Sequence, residues 1–152
     1  MKKLIEVKCS IRDLDNFAKK LSFNIKTGDV FLLKGELGSG KTTFARFLIN
    51  SLFNINNLKP PTDIKSPSFP IMINYPLKKF EIFHYDFYRI DNKNEVKEID
   101  IFENIEKNIT IIEWPELILK NFAITNFFLM EFRIINSLER SIKLWHSQKK
   151  KI

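Results

Sequence analysis

No glycine follows Gly40 in this chain of 152 residues; all four, Gly28, Gly35, Gly38 and Gly40, lie between residues 28 and 40. That absence excludes two classes. A Ras-type GTPase needs a D-x-x-G after its second strand, where a glycine N–H meets the γ-phosphate. A transporter-type ATPase needs a serine-glycine-glycine signature. Cysteine is nearly as scarce: Cys9 alone excludes an internal disulfide and cannot by itself make a metal site, which suits a cytoplasmic protein. No run approaches the roughly 18 apolar residues of a membrane span. Glu6 and Lys8 cut short the signal-like start Met1-Lys2-Lys3-Leu4-Ile5, so no membrane partner is expected. The five arginines, Arg12, Arg46, Arg89, Arg133 and Arg140, are scattered rather than gathered into the lid of a small-molecule kinase. Asn92-Lys93-Asn94-Glu95 resembles a guanine-reading N-K-x-D, but it comes too early and ends in Glu.

The glycines that are present make a pattern. Gly35-Glu36-Leu37-Gly38-Ser39-Gly40-Lys41-Thr42 fits the phosphate loop G-x-x-x-x-G-K-[ST]. Such a loop curls so that several backbone N–H groups converge on one anion, and glycine permits both the curl and the close approach. The flanks agree. Val30 to Leu33 is a β-type apolar run, and Phe44, Ala45, Phe47, Leu48, Ser51 and Leu52 recur at helical spacing. Strand, loop and helix N-terminus together form a phosphate site. Within it Lys41 bridges the β- and γ-oxygens, Thr42 ligates Mg²⁺, and backbone N–H groups through Thr43 meet the phosphates.

Hydrophobic residues make up 44% of the chain, fifteen of them Phe, which is enough for the core of one ordinary domain. We expect one domain over residues 1–148 and a disordered basic tail over 149–152. The net charge of +7 comes almost wholly from lysines that are spread along the chain, with one cluster at Lys149-Lys150-Lys151. That spacing suits solvated lysines better than a nucleic-acid surface. Ser10-Ile11-Arg12-Asp13 has capping-box spacing ahead of a helix face at Leu14, Phe17, Ala18 and Leu21. Ser66-Pro67-Ser68-Phe69 is a stiff loop whose hydroxyls are equally readable as a switch near a metal or as a plain turn. Ile71, Ile73 and Tyr75 then alternate as a strand, and Pro76 to Lys79 turns into a second strand over residues 80–87, where His84 and Asp86 share a face. Val96, Ile99 and Phe102 suggest a surface helix within residues 91–107. Ile109 to Ile112 reads as a strand buried on both faces and ending at Glu113 and Trp114. Asp86 and Glu113 both remain candidates for the acid beside the metal. Residues 127–135 and 141–145 form a closing hairpin.

Taken together, the phosphate loop, Ser66-Pro67-Ser68-Phe69, His84-x-Asp86-x-Tyr88-Arg89 and Glu113-Trp114-Pro115-Glu116 resemble the TsaE family (formerly YjeE) over nearly the whole chain. The resemblance implies an α/β, three-layer P-loop NTPase-like fold, with a mixed central sheet flanked by helices and a C-terminal β-hairpin. It implies a weak, Mg-dependent ATPase, stimulated by the proteins TsaB and TsaD, whose cycle resets their complex as it modifies adenosine 37 of tRNA. The tRNA is acted on by the complex rather than bound tightly by this chain. ATP contacts are implied at Glu36, Leu37, Gly38, Ser39, Gly40, Lys41, Thr42, Thr43, Ser68 and Trp114. Metal contacts are implied at Thr42, Asp86 and Glu113, and catalytic roles for Lys41, Asp86 and Glu113. Family members commonly carry Asp, Ala and Thr where this chain has Glu36, Ser39 and Ser68. A competing class is a nucleotide-gated assembly factor that has no need of hydrolysis; a small-molecule kinase is the weaker alternative, given the scattered arginines.

Overall fold

A computed structural model describes residues 1–99, 101–103 and 105–147; the expectation for the tail 149–152 falls outside them. The strands are β1 (Lys2–Cys9), β2 (Val30–Gly35), β3 (Met72–Pro76), β4 (Glu81–Asp86), β5 (Ile109–Glu113), β6 (Phe127–Ile134) and β7 (Arg140–His146). The helices are α1 (Ile11–Ser22), α2 (Lys41–Ile55), α3 (Lys93–Glu98) and α4 (Glu116–Asn121), with a 3₁₀ turn at Ile105–Lys107. The strands form a mixed sheet in the order β1-β7-β6-β2-β5-β4-β3. Its centre, β6-β2-β5-β4, is parallel; β3 at one edge and β7 and β1 at the other run antiparallel to their neighbours.

Alternation along the central strands sorts their side chains into two apolar layers. Phe31 and Leu33 of β2, with Ile109 and Ile111 of β5, pack with Leu14, Ala18 and Leu21 of α1 and Phe44, Leu48 and Ile49 of α2. Val30, Leu32 and Ile112 point the other way, toward Val96 of α3 and Ile118 of α4. The three-layer arrangement follows, and residues 127–146 close it as the expected hairpin. The capping box is formed as well: Ser10 Oγ accepts from the Asp13 amide, and the Asp13 carboxylate accepts from the Ser10 amide.

Three local expectations change. The helix expected within residues 91–107 is the six-residue α3, and Ile101 is buried (2% exposed) where Phe102 is not (40%). Ile71 stands outside the β3 alternation. Its φ of 78° turns the chain over, so it packs in the α4-side layer while Ile73 packs in the other. The strand β1 was not expected at all. It pairs with β7, and a register shift between Lys3 and Ile5 breaks its alternation.

Candidate functional site

The strands β2, β5 and β4 run in parallel and end side by side, so their carboxyl ends form one rim where the chain turns into the loop 36–40. The loop leads directly into α2, whose N-cap Gly40 has φ 109°, a left-handed conformation that glycine reaches without the strain of a side chain. At the loop's start, a Cβ on Gly35 would lie 2.6 Å from the Phe132 carbonyl oxygen, so the close approach of β2 to β6 needs a glycine there.

Parity then aims the acids. Ile82, His84 and Asp86 share one face of β4, and Ile109, Ile111 and Glu113 share one face of β5; both are the face that α2 covers. Asp86 and Glu113 are register partners on neighbouring strands. Two carboxylates so placed repel each other unless each has its own donors, and each has two. Asp86 accepts from the Ser66 hydroxyl and from the Tyr88 amide at 2.9 Å. Glu113 accepts at Oε2 from the Thr42 hydroxyl (2.8 Å), while Oε1 lies 2.9 Å from His84 Nε2. Both carboxylates are buried, and His84 is fully so.

The Lys41 ammonium donates to the carbonyls of Gly35 (2.7 Å) and Glu36 (2.9 Å), and it lies 3.9 Å from the centroid of the Trp114 ring. Burial lowers its pKa, against the opposing pull of Glu113, Asp86, Glu116 and Glu36. Trp114 reaches this place by adopting φ 56°, an outlier for so bulky a residue. The Tyr88 ring stands 4.9 Å from it. On the far side of the loop, Arg140 of β7 donates to the Gly38 carbonyl at 3.3 Å.

Lys41, Thr42, Asp86, Glu113, Tyr88 and Trp114 line a cleft of about 400 Å³; His84 and Arg140 stand outside its lining. Of the residues singled out from the sequence, Leu37, Gly38, Gly40, Lys41, Thr42, Thr43, Ser68, Asp86, Glu113 and Trp114 line it. Glu36 and Ser39 do not. The Glu36 side chain is exposed and its carbonyl serves Lys41, while Ser39 is buried beneath the loop with its amide bonded to Glu36 O. Ser66, Tyr88 and Arg89 also line the cleft: Ser66 stands where the reading of its hydroxyl as part of a switch near the metal requires, and Tyr88 and Arg89 come from the motif at the end of β4. The oxygen donors Thr42, Asp86 and Glu113 fit a hard cation such as Mg²⁺. Among the described residues no group of three or more His, Cys, Asp or Glu is placed to hold a metal ion.

A glycine loop between a central parallel strand and the helix covering it, with acids on the neighbouring strand ends, defines the class: a three-layer α/β protein with the P-loop NTPase-like fold. In overall fold it is similar to YdiB of Bacillus subtilis, with a TM-score of 0.69 at 21% identity over 97% of this chain and 87% of that one. The family model described as "Threonylcarbamoyl adenosine biosynthesis protein TsaE" matches residues 9–143, and the chain belongs to the TsaE family. It is 40% identical over 109 residues to the Rickettsia prowazekii protein named "tRNA threonylcarbamoyladenosine biosynthesis protein TsaE", covering 72% of each chain. The protein of the same name from Borreliella burgdorferi is 29% identical over 131 residues, 84% of this chain and 90% of that one.

Proposed function

We propose that this chain acts in tRNA threonylcarbamoyladenosine biosynthesis as its ATP-binding and ATP-hydrolysing component, residues 1–148 forming the domain that does so. Its ATPase cycle resets the TsaB–TsaD complex between turnovers. The observation that carries the reading is the convergence of Lys41 and Thr42 from the loop with Asp86 and Glu113 from two adjacent strand ends in a member of this family.

The loop amides up to Thr43 bind the phosphates. Lys41 leaves the Gly35 and Glu36 carbonyls to bridge the β- and γ-oxygens, and Trp114 and Ser68 close the cleft wall. Thr42, with Asp86 and Glu113 directly or through water, holds Mg²⁺. When bound, the ion supplies charge neutralisation on the phosphate oxygens. Glu113 orients the attacking water or takes its proton. Among the described residues no helix is long and apolar enough to cross a membrane, and no membrane step enters this reading.

The test is phosphate release from ATP by the purified chain, alone and with TsaB plus TsaD. Slow release that rises when the partners are added is expected; no release under either condition overturns the reading. Glu113→Ala should still bind ATP and dock, yet fail multiple-turnover modification. Repeated turnovers with that variant would mean that nucleotide occupancy alone suffices.

A further inference from the structure

His84 is wholly buried, yet it is not a satisfied core histidine. Nε2 meets Glu113 Oε1 at 2.9 Å, and Nδ1 has no hydrogen-bond partner among the described residues. Around it the setting is apolar: its register partners are Ile73 on β3 and Ile111 on β5, and Ile82 precedes it on the same face of β4. An aliphatic side chain would fill this volume without orphaning a nitrogen, so packing alone does not account for an imidazole here. Its hydrogen-bond contact among the described residues goes to a carboxylate whose other oxygen faces Thr42. An ionised carboxylate only accepts, so in either protonation state of the ring the nitrogen facing Glu113 carries the proton, an assignment made from the hydrogen-bond network.

We propose that His84 is the positioning residue for Glu113: its Nε2–H fixes Oε1 from beneath, so that Oε2 keeps its aim at the metal position when the Thr42 hydroxyl turns from Glu113 to the metal. Without that anchor Glu113 would lose its remaining donor at that moment, with Asp86 directly opposite in register, and would swing away. The inference rests on reading the cleft as an Mg–nucleotide site, and it places Glu113 under the control of a side chain on the neighbouring strand β4.

The test compares His84→Leu, which removes the donor, with His84→Gln, whose amide N–H restores one at similar reach. ADP affinity is measured with and without Mg²⁺. Both variants should match the native protein without Mg²⁺. The gain in affinity on adding Mg²⁺ should fall about 10–100-fold in the leucine variant, the usual range for losing a group that orients a metal ligand, and return close to native in the glutamine variant. A leucine variant that keeps the full gain overturns the proposal. So does an equal loss in both variants, which would mark His84 as merely structural. The imidazole ¹⁵N spectrum of the ligand-free native protein decides the contact independently of how the variants fold: a proton on Nε2 supports the proposal, and one on Nδ1 with Nε2 bare overturns it. A native protein that binds no nucleotide would instead overturn the reading of the cleft, and the spectrum would then decide the His84 contact by itself.

Discussion

Two glycines and a tryptophan carry the tightest constraints at the level of single residues. A methyl on Gly35 would meet the backbone of β6, 2.6 Å from the Phe132 oxygen, and a ladder strand cannot move aside. Gly40 differs. A Cβ there has ordinary contact with Leu14 at 3.9 Å, so its substitution costs only the left-handed backbone, about 1–2 kcal/mol. Gly35→Ala should therefore destabilise the protein more than Gly40→Ala, by about 1–3 kcal/mol of overpacking, and the Tm values of the two variants check the order. The Trp114 ring centroid lies 3.9 Å from the Lys41 ammonium. If bound phosphate draws that ammonium away, the indole environment changes. Nucleotide titration should then alter tryptophan fluorescence in Trp145→Phe, where Trp114 remains, and leave it nearly flat in Trp114→Phe.

Among the elements, α1 depends most visibly on a local device, the capping box at Ser10 and Asp13. Ser10→Ala should destabilise the protein by about 1 kcal/mol, read from the midpoint of urea unfolding, with nucleotide affinity unchanged. That helix was legible because its signal is contained in a dozen consecutive residues, as were β2 with its loop and the continuously buried β5. By contrast, β1 was illegible. Its alternation is broken by the shift after Lys3, and its pairing partner is β7, at the opposite end of the sequence. The chain from α3 to the 3₁₀ turn was misread as one helix because Val96 and Ile99 keep helical spacing, whereas the buried Ile101 belongs to the turn that follows. In the cleft, the phosphate loop and both acids could be read from motif and strand-end position. The pairing of His84 with Glu113 could not, because it requires knowing that β4 and β5 are neighbours. Nor could the withdrawal of Ser39 beneath the loop, since one-letter spacing says nothing of which way a loop side chain turns.

For the molecule as a whole, the parallel strands decide where chemistry is possible. The carboxyl ends of β2, β5 and β4 meet at one rim, and α2 begins above it with its N-terminus toward the cleft. The apolar layers on either side fix the register that sets Asp86 against Glu113 and brings Thr42 down onto Glu113. On this account the loop and the strand ends are one device for holding a triphosphate with its metal, and Lys41 is the residue without which the phosphates have no cation from the chain's own loop. The most direct measurement is calorimetric titration of ATP with Mg²⁺ into the native chain and into Lys41→Ala. One site per native chain is expected, with a loss of at least about tenfold in affinity, about 1.4 kcal/mol, in the variant. Equal binding by both proteins, or no binding by the native chain, would contradict the account.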